Sequence, residues 1–393
     1  YPSFQTREQH IKREKATSNI CTSQALLASM AGFYAVYHGQ EGIRTIAERI
    51  HSIASLLAEK LEAYGYKQYN EQFFDTLHLG LPKGTTIEQL KAVALQHQVN
   101  LHYFSNGHVG LSIDETTDIS AVNELLRIFA TVAQHTFEAI DDVPIACTIN
   151  KELQRTSPYL THEVFQKYHT EMEMMRYIKR LDRKDISLTH SMISLGSCTM
   201  KMNPASEMLP LSLAGFANLH PLVPADQAQG YRKLIDNLSE ELQIITGFDG
   251  VTLQPNSGAA GEYTGLRIIR SYLESIGQSQ RNIVLIPASA HGTNPASAVQ
   301  AGFTHVTVAC DEKGNVDLND LREKAEANKE ALAALMITYP STHGIFEVEI
   351  KEICKIIHAN GAQVYMDGAN MNAQVGITNP GTIGADVCHL NLH

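Results

Sequence analysis

Paired cysteines are missing from this chain. Its six cysteines, Cys21, Cys147, Cys198, Cys310, Cys354 and Cys388, lie far apart with no Cys-x-x-Cys among them. That spacing argues against a disulfide framework or a structural zinc site and favours a reducing compartment. Basic residues are also in short supply: 31 Lys and Arg stand against 42 Asp and Glu, a formal charge of -11, with no basic stripe interleaved with aromatics. Nucleic acid is therefore not an expected partner, because phosphate neutralisation needs a basic surface. No His-Glu-x-x-His helix is present, and no metal is expected. The chain shows no N-terminal signal and opens Tyr1-Pro2-Ser3-Phe4 without an initiator Met, so an internal portion of a longer polypeptide is expected. Positions 20–40 carry no Asp, Glu, Lys or Arg, yet Thr22, Ser23, Gln24, Ser29 and His38 interrupt them. A buried soluble helix is expected there rather than a membrane span.

What is there divides into three stretches. Length alone allows two or three domains with proper cores. Positions 1–140 read as a small α+β domain: two helices over 20–65 punctuated by Gly39 and closed near Gly65, strands near 73–79, 99–104 and 109–113, and helices over 87–97 and 119–137. Positions 141–230 read as a connector, broken by Pro144, Pro158, Pro204, Pro210, Pro221 and Pro224 and carrying one helix over 161–181. Positions 231–393 alternate strands and helices. Strands are expected at 251–254, 283–286, 305–310, 335–339 and up to Asp367, with helices over 258–276 and 348–360 and another entered through Asn294-Pro295, the Pro at its first position. That alternation predicts an α/β fold with a mostly parallel, doubly wound sheet.

The last run, from Ala385 to His393, alternates apolar and polar residues. As a strand it places Cys388, Leu390 and Leu392 on one face and His389, Asn391 and His393 on the other. Upstream, Gln363-Val364-Tyr365-Met366-Asp367 reads as a buried strand delivering an acid at its C-terminal end, followed by small residues. Open α/β sheets place ligands at that edge. An acid, small neighbours and a second strand ending in His suit a flat aromatic cofactor with a carboxylate on its ring nitrogen, and pyridoxal phosphate fits. A rival reading takes His389, Asn391 and His393, with His343 or Glu347, as a metal site.

Longer strings carry a resemblance. Gly196-Ser197-Cys198-Thr199-Met200-Lys201-Met202-Asn203-Pro204, Gln254 to Tyr263, Ala290-His291-Gly292-Thr293-Asn294-Pro295-Ala296-Ser297 and Tyr365 to Asn372 closely resemble the P-proteins of the glycine cleavage system, as do Gln5 to Ile11 and Ala16 to Thr22. The resemblance runs almost end to end. It implies a fold type I pyridoxal-phosphate enzyme, a glycine decarboxylase that works through a pyridoxal-phosphate aldimine and passes the aminomethyl group to the lipoyl arm of the H-protein. Glycine and the lipoylated H-protein are the implied partners, a homodimer the implied assembly, and no membrane is involved. The compartment would be the cytoplasm in a bacterium and the mitochondrial matrix in a eukaryote. In that family the run Leu390-Asn391-Leu392-His393 is followed by the Schiff-base lysine, so a lysine is expected at the next position.

The resemblance also distributes roles. Asp367 and His291 are the expected catalytic residues. Ser257, Gly258 and Ala259 sit between a strand and a helix, where small residues let a phosphate reach backbone N–H groups; without Gly-x-Gly-x-x-Gly a plain turn is the alternative. His291 would stack on the pyridine ring, against the reading of a satisfied loop histidine, and Ala369 would pack on the opposite face. Thr342 either bonds the cofactor's phenolic oxygen or simply forms a turn. His393 would contact the phosphate or the ring. Ser197, Cys198 and Thr199 would line the substrate entrance. Two other readings stand beside this one: a different fold type I enzyme acting on another amino acid, and a noncatalytic partner subunit of the same family.

Overall fold

Every residue of Leu332–Thr338 is buried. A strand apolar on both faces belongs in the middle of a parallel sheet covered by helices on each side, and the computed structural model, which describes residues 25–184, 190 and 205–391, places it there. The chain divides into two compact units, one spanning Ser29–Asp185 and the other Tyr1–Ala28 with Ile186–His393. The expected connector, 141–230, is thus shared between them. Among the described residues no helix is long and apolar enough to cross a membrane.

The Ser29–Asp185 unit is α+β. Helix α1 (Ala25–Ala63) is two helices joined at Gly39, whose φ of 62° and ψ of -170° leave the helical region. A Cβ there would come within 2.7 Å of the Phe165 carbonyl, so the positive φ and the close backbone both require glycine. Strands β1 (Lys67–Gln68), β2 (Thr76–Gly80), β3 (His102–Tyr103) and β4 (His108–Ser112) pair antiparallel in the order β1-β2-β4-β3. Helices α2 (Ile87–Gln96) and α3 (Ile119–Ala133) complete the unit's core: Leu57 and Leu61 of α1, Leu90 of α2 and Leu126 and Phe129 of α3 cluster with Leu77, Leu79 and Val109 of the sheet. The connector helix is shorter than its pattern suggests. Thr170 caps Glu173 N–H at 3.3 Å and starts α4 (Glu171–Asp182) afresh, after a separate 3-10 turn at Glu163–Gln166.

The other unit opens with single turns α5 (Ala205–Met208) and α6 (Ala214–Ala217), then α7 (Gln229–Thr246) and α8 (Gly258–Ser275). Five strands follow, β5 (Ile283–Pro287), β6 (Thr304–Val308), β7 (Leu332–Thr338), β8 (Gln363–Gly368) and β9 (Val387–Leu390), alternating with α9 (Thr293–Gln300), α10 (Leu318–Ala327), α11 (Ile350–Ala359) and α12 (Pro380–Ile383). All strand pairs are parallel, in the order β6-β5-β7-β8-β9. Helices α8 and α9 share one core with the sheet (Leu266, Ile269, Ala298) and α10 and α11 share the other (Leu321, Ile353, Ile357). This is a doubly wound sheet whose order reverses between β5 and β7, and ligands bind at the carboxyl edge of such a switch point.

Two further local expectations do not hold. Val251–Gln254 has no ladder partner among the described residues; its alternation marks a half-buried loop with Thr252 and Gln254 exposed. Helix α9 begins at Thr293, which puts Pro295 at its third position rather than its first. Proline is accommodated there because the first four helical N–H groups have no intrahelical partner.

Candidate active site

Parallel pairing delivers the ends of β5, β7, β8 and β9 to one edge. Asp367, at the end of β8, lies opposite Thr338 of β7 and His389 of β9 in the ladder register. It is only 3% exposed. A buried carboxylate is expensive unless paired and hydrogen-bonded, and Asp367 has both. His389 Nε2 lies 3.2 Å from Oδ1, the Ala369 N–H donates to the same oxygen at 3.1 Å, and the Asn294 amide donates to Oδ2 at 3.0 Å. Thr338 Oγ1 makes a longer approach to Oδ2 at 3.5 Å.

A second carboxyl lies behind the first. Glu262, on the inner face of α8, accepts from the same Asn294 Nδ2 at 3.1 Å, and its Oε2 is 2.7 Å from Ser297 Oγ. On the far side of His389, Nδ1 is 2.6 Å from the hydroxyl of fully buried Tyr365. The chain folds this way because α8 carries glycines where it meets the sheet: a Cβ at Gly261 would press on His389 at 3.0 Å, and one at Gly265 would overlap the Tyr365 ring.

The electrostatics follow from this wiring. For Asp367, burial alone would push the carboxyl up; the charge of His389 and the bonds from His389, Asn294 and Ala369 outweigh it and hold the carboxyl below the usual range. For His389, burial works against the cation, but Asp367, and then Glu262, more than compensate and raise it. Glu262 is pushed up to about 7, by burial first and then by the charge of Asp367. Burial and the neighbouring acids put the Tyr365 phenol well above its ordinary value.

The other expected site residues sit around the same edge. Ser257 caps α8, accepting the Ala260 N–H on its Oγ at 3.1 Å, while Gly261 N–H begins the helical ladder on the Ser257 carbonyl. The N–H groups of Gly258 and Ala259 fall among the first-turn donors that a helix leaves without an intrahelical partner. His291 is exposed, and its Nδ1 accepts the Thr293 N–H at 3.1 Å, so the neutral ring carries its proton on Nε2. Three residues further on, Asn294 reaches Asp367, which ties the His291 loop to the acid. Thr342, after β7, donates its hydroxyl to the Ser289 carbonyl after β5, bridging the switch point. Ala369 is half-buried beside Asp367. Ser197, Cys198, Thr199 and His393 lie outside the described residues.

The rival metal reading finds different company. Glu347 accepts the Val316 N–H at 3.0 Å, and His343 is exposed. Among the described residues, the group with metal-ligand reach is Glu262, Asp367 and His389, whose ligating atoms lie within 4.8 Å of one another. Asp367 and His389 in that group are already directly paired.

Sequence pattern gives Glu262, Asn294 and Tyr365 no role at the site, and offers His389 only as a ligand in the rival metal reading. His389 stands on the expected polar face, from which the resemblance singles out His393 for the cofactor. Glu262 did leave a signal: it shares the spacing of Gly261, Gly265, Leu266 and Ile269, the face of α8 that is buried, and an acid on an otherwise small and apolar face needs a partner.

Comparison with known proteins bears on the family and the fold. The family model described as Glycine cleavage system P-protein matches residues 3–129, and that of class-V aminotransferases matches 260–391. The latter covers the parallel sheet and identifies it as fold type I. A glycine dehydrogenase (decarboxylating) of Bacteroides thetaiotaomicron is 73% identical over 391 residues, 100% of this chain and 41% of that relative. One from Thermosynechococcus vestitus is 58% identical, again over 100% of this chain and 40% of its own length. A crystal structure of an inhibitor-bound glycine decarboxylase (P-protein) superposes with a TM-score of 0.47 at 15% identity, covering 70% of this chain and 57% of that one. The chain spans about two fifths of the length of the curated relatives it matches, and with that extent of identity it belongs to the glycine cleavage system P-protein family.

Proposed function

We propose that the polypeptide containing this chain decarboxylates glycine with pyridoxal phosphate and passes the aminomethyl group to the lipoyl arm of the H-protein. The observation that carries this reading is Asp367, held ionised by His389 at the carboxyl edge of a doubly wound sheet beside its switch point. The residues fit the cofactor. Asp367 Oδ2 receives one close donor, Asn294, and only a long approach from Thr338, so it retains acceptor capacity for a ring N–H.

When bound, pyridoxal phosphate supplies the electron sink for the pair released as carbon dioxide leaves glycine. Asp367 would hold the proton on the ring nitrogen at Oδ2, and His389 keeps that carboxylate charged. The first turn of α8, with the N–H groups of Gly258 and Ala259 and the capping Ser257, would bind the phosphate, aided by the helix dipole. His291 presents an exposed ring for stacking, oriented by Thr293, and Ala369 offers a small surface for the other face. Thr342 holds the β5 and β7 loops together and lines the same edge. His393 is assigned to the cofactor, Ser197, Cys198 and Thr199 to the substrate entrance, and a homodimer to the assembly, on family resemblance. The compartment would be the cytoplasm of a bacterium or the mitochondrial matrix of a eukaryote; a relative from Flaveria pringlei is named as mitochondrial.

Asp367→Asn tests the reading. It keeps the size and the Asn294 contact but removes the charge, and it should lower glycine-dependent carbon dioxide exchange by about a hundredfold, roughly 2.7 kcal/mol of barrier. Exchange at the wild-type rate would remove Asp367 from the mechanism. Visible absorbance that hydroxylamine abolishes would report the cofactor independently.

A further inference from the structure

The buried network holds two carboxyls, and the reaction as described uses one. Both are hydrogen-bonded by a single nitrogen, Asn294 Nδ2, at 3.1 Å to Glu262 and 3.0 Å to Asp367. Each of its two hydrogens is therefore committed, and the amide oxygen faces Thr338 Oγ1 at 3.4 Å. Glu262 and Asp367 are 4% and 3% exposed. Two negative charges this close and this dry do not ionise together without cost; the pair titrates as a unit, and its surroundings decide which member keeps the proton.

Those surroundings are unequal. Asp367 is paired directly with the His389 imidazolium and receives a backbone N–H, while Glu262 is hydrogen-bonded only by the neutral groups of α9, the Asn294 amide and the Ser297 hydroxyl, and feels the His389 charge without a direct bond, within 4.8 Å. The remaining titratable groups on the strands beneath, Tyr365 of β8 and Cys388 of β9, are both raised by burial and neutral. From this asymmetry we infer that Glu262 is a positioning residue that carries the proton of the pair, so that its one negative charge rests on Asp367. Ser297 Oγ, 2.7 Å from Oε2, donates to an ionised Glu262; with the proton on Oε2 that bond reverses at an ordinary O–H···O length, while Oε1 accepts from Asn294 either way. A proton on Glu262 leaves Asp367 matched one to one with His389. Asn294, anchored on its far side by a neutral acceptor, then fixes the rotamer of the Asp367 carboxylate. The lift of Glu262 to about 7 agrees with this assignment.

The role of this arrangement rests on the pyridoxal phosphate reading; the place of the proton does not. Infrared difference spectra of the full-length apoprotein, wild type against Glu262→Gln, decide the latter. At about pH 6, below the value of about 7, the variant should lack the carbonyl stretch of a buried protonated carboxyl, and in the wild type that band should fade as pH rises through 7. Loss of carboxylate bands instead would overturn the assignment. Cofactor titration tests the positioning. Glu262→Leu removes the anchor of Asn294 and should weaken pyridoxal phosphate binding by about tenfold. Glu262→Gln, with an oxygen for Asn294 and an N–H for Ser297, should recover most of that loss; equal weakening in both variants would refute the neutral-anchor role. A wild-type protein that binds no pyridoxal phosphate would sink the cofactor reading and leave the infrared result standing.

Discussion

Placing an alanine at Gly265 tests how α8 is seated on the sheet that carries the site. Away from any neighbour, Gly→Ala inside a helix stabilises by about 1 kcal/mol through backbone entropy. Here the new Cβ would overlap Tyr365 Cε2 and come within 3.1 Å of Val387 Cγ1. Carbon atoms pack at about 3.5–4.0 Å, so the ring or the helix has to move. Tyr365 has nowhere to go: it is fully buried, and its hydroxyl is held 2.6 Å from His389 Nδ1. Overpacking costs about 1–3 kcal/mol, and stretching a buried hydrogen bond adds about 1 kcal/mol. Set against the gain in propensity, the net effect is a destabilisation of about 2 kcal/mol, which lowers Tm by roughly 4–8 °C for a unit of this size. Thermal melts and urea titrations of Gly265→Ala against wild type measure it. In a Tyr365→Leu background the same substitution should cost less, a coupling of about 1 kcal/mol between the two sites. A variant as stable as wild type would mean that α8 does not lie on Tyr365 as described.

His389→Leu removes the cation from buried Asp367 and the partner from Tyr365, and should destabilise by about 3–5 kcal/mol, read as a lower urea midpoint; an unchanged midpoint would show that the pair is not buried. Glu262→Gln should change the pH dependence of stability. The folded-state value of about 7 lies above the ordinary 4.5, so the native state holds the extra proton between them and wild-type stability falls as pH rises through that window. At about 1.36 kcal/mol per unit the variant should gain about 3 kcal/mol relative to wild type by pH 7 and nothing further above it, which unfolding curves at several pH values would reveal. In the Ser29–Asp185 unit, Tyr66→Phe deletes the bond from a buried hydroxyl to the Phe129 carbonyl at 3.0 Å and should cost about 1 kcal/mol of stability by the same assay.

Much of the fold is legible in the chain because its signals are local. Gly39 and Gly65 mark where the first helices break and end, since only glycine takes their positive φ without strain. The run from Leu335 to Tyr339 announces a strand, which the structure extends back to Leu332, and Val364 to Asp367 announces an acid at a strand end. The stretch at 251–254 misleads for the same reason: alternation reports burial on one side, and a loop lying on a core alternates as a strand does. Ser257 is legible as a helix start because a Ser followed by small residues is a capping signal, whatever ligand the turn serves.

Sequence by itself therefore determined the α/β alternation, the acid at the end of β8, the small residues beside it and the family. Tertiary structure decided what that acid is bonded to. His389 faces Asp367 because β9 pairs parallel with β8 in a register that sets those two residues opposite each other, and register is a property of two strands that neither carries alone. Glu262 and Asn294 join them because α8 and α9 pack on the same face of the sheet, closing distances that the chain order leaves open. A charge buried by folding must find its partners in the fold. Here the partners come from three other elements, and the proton that distinguishes the two carboxyls is placed by that assembly.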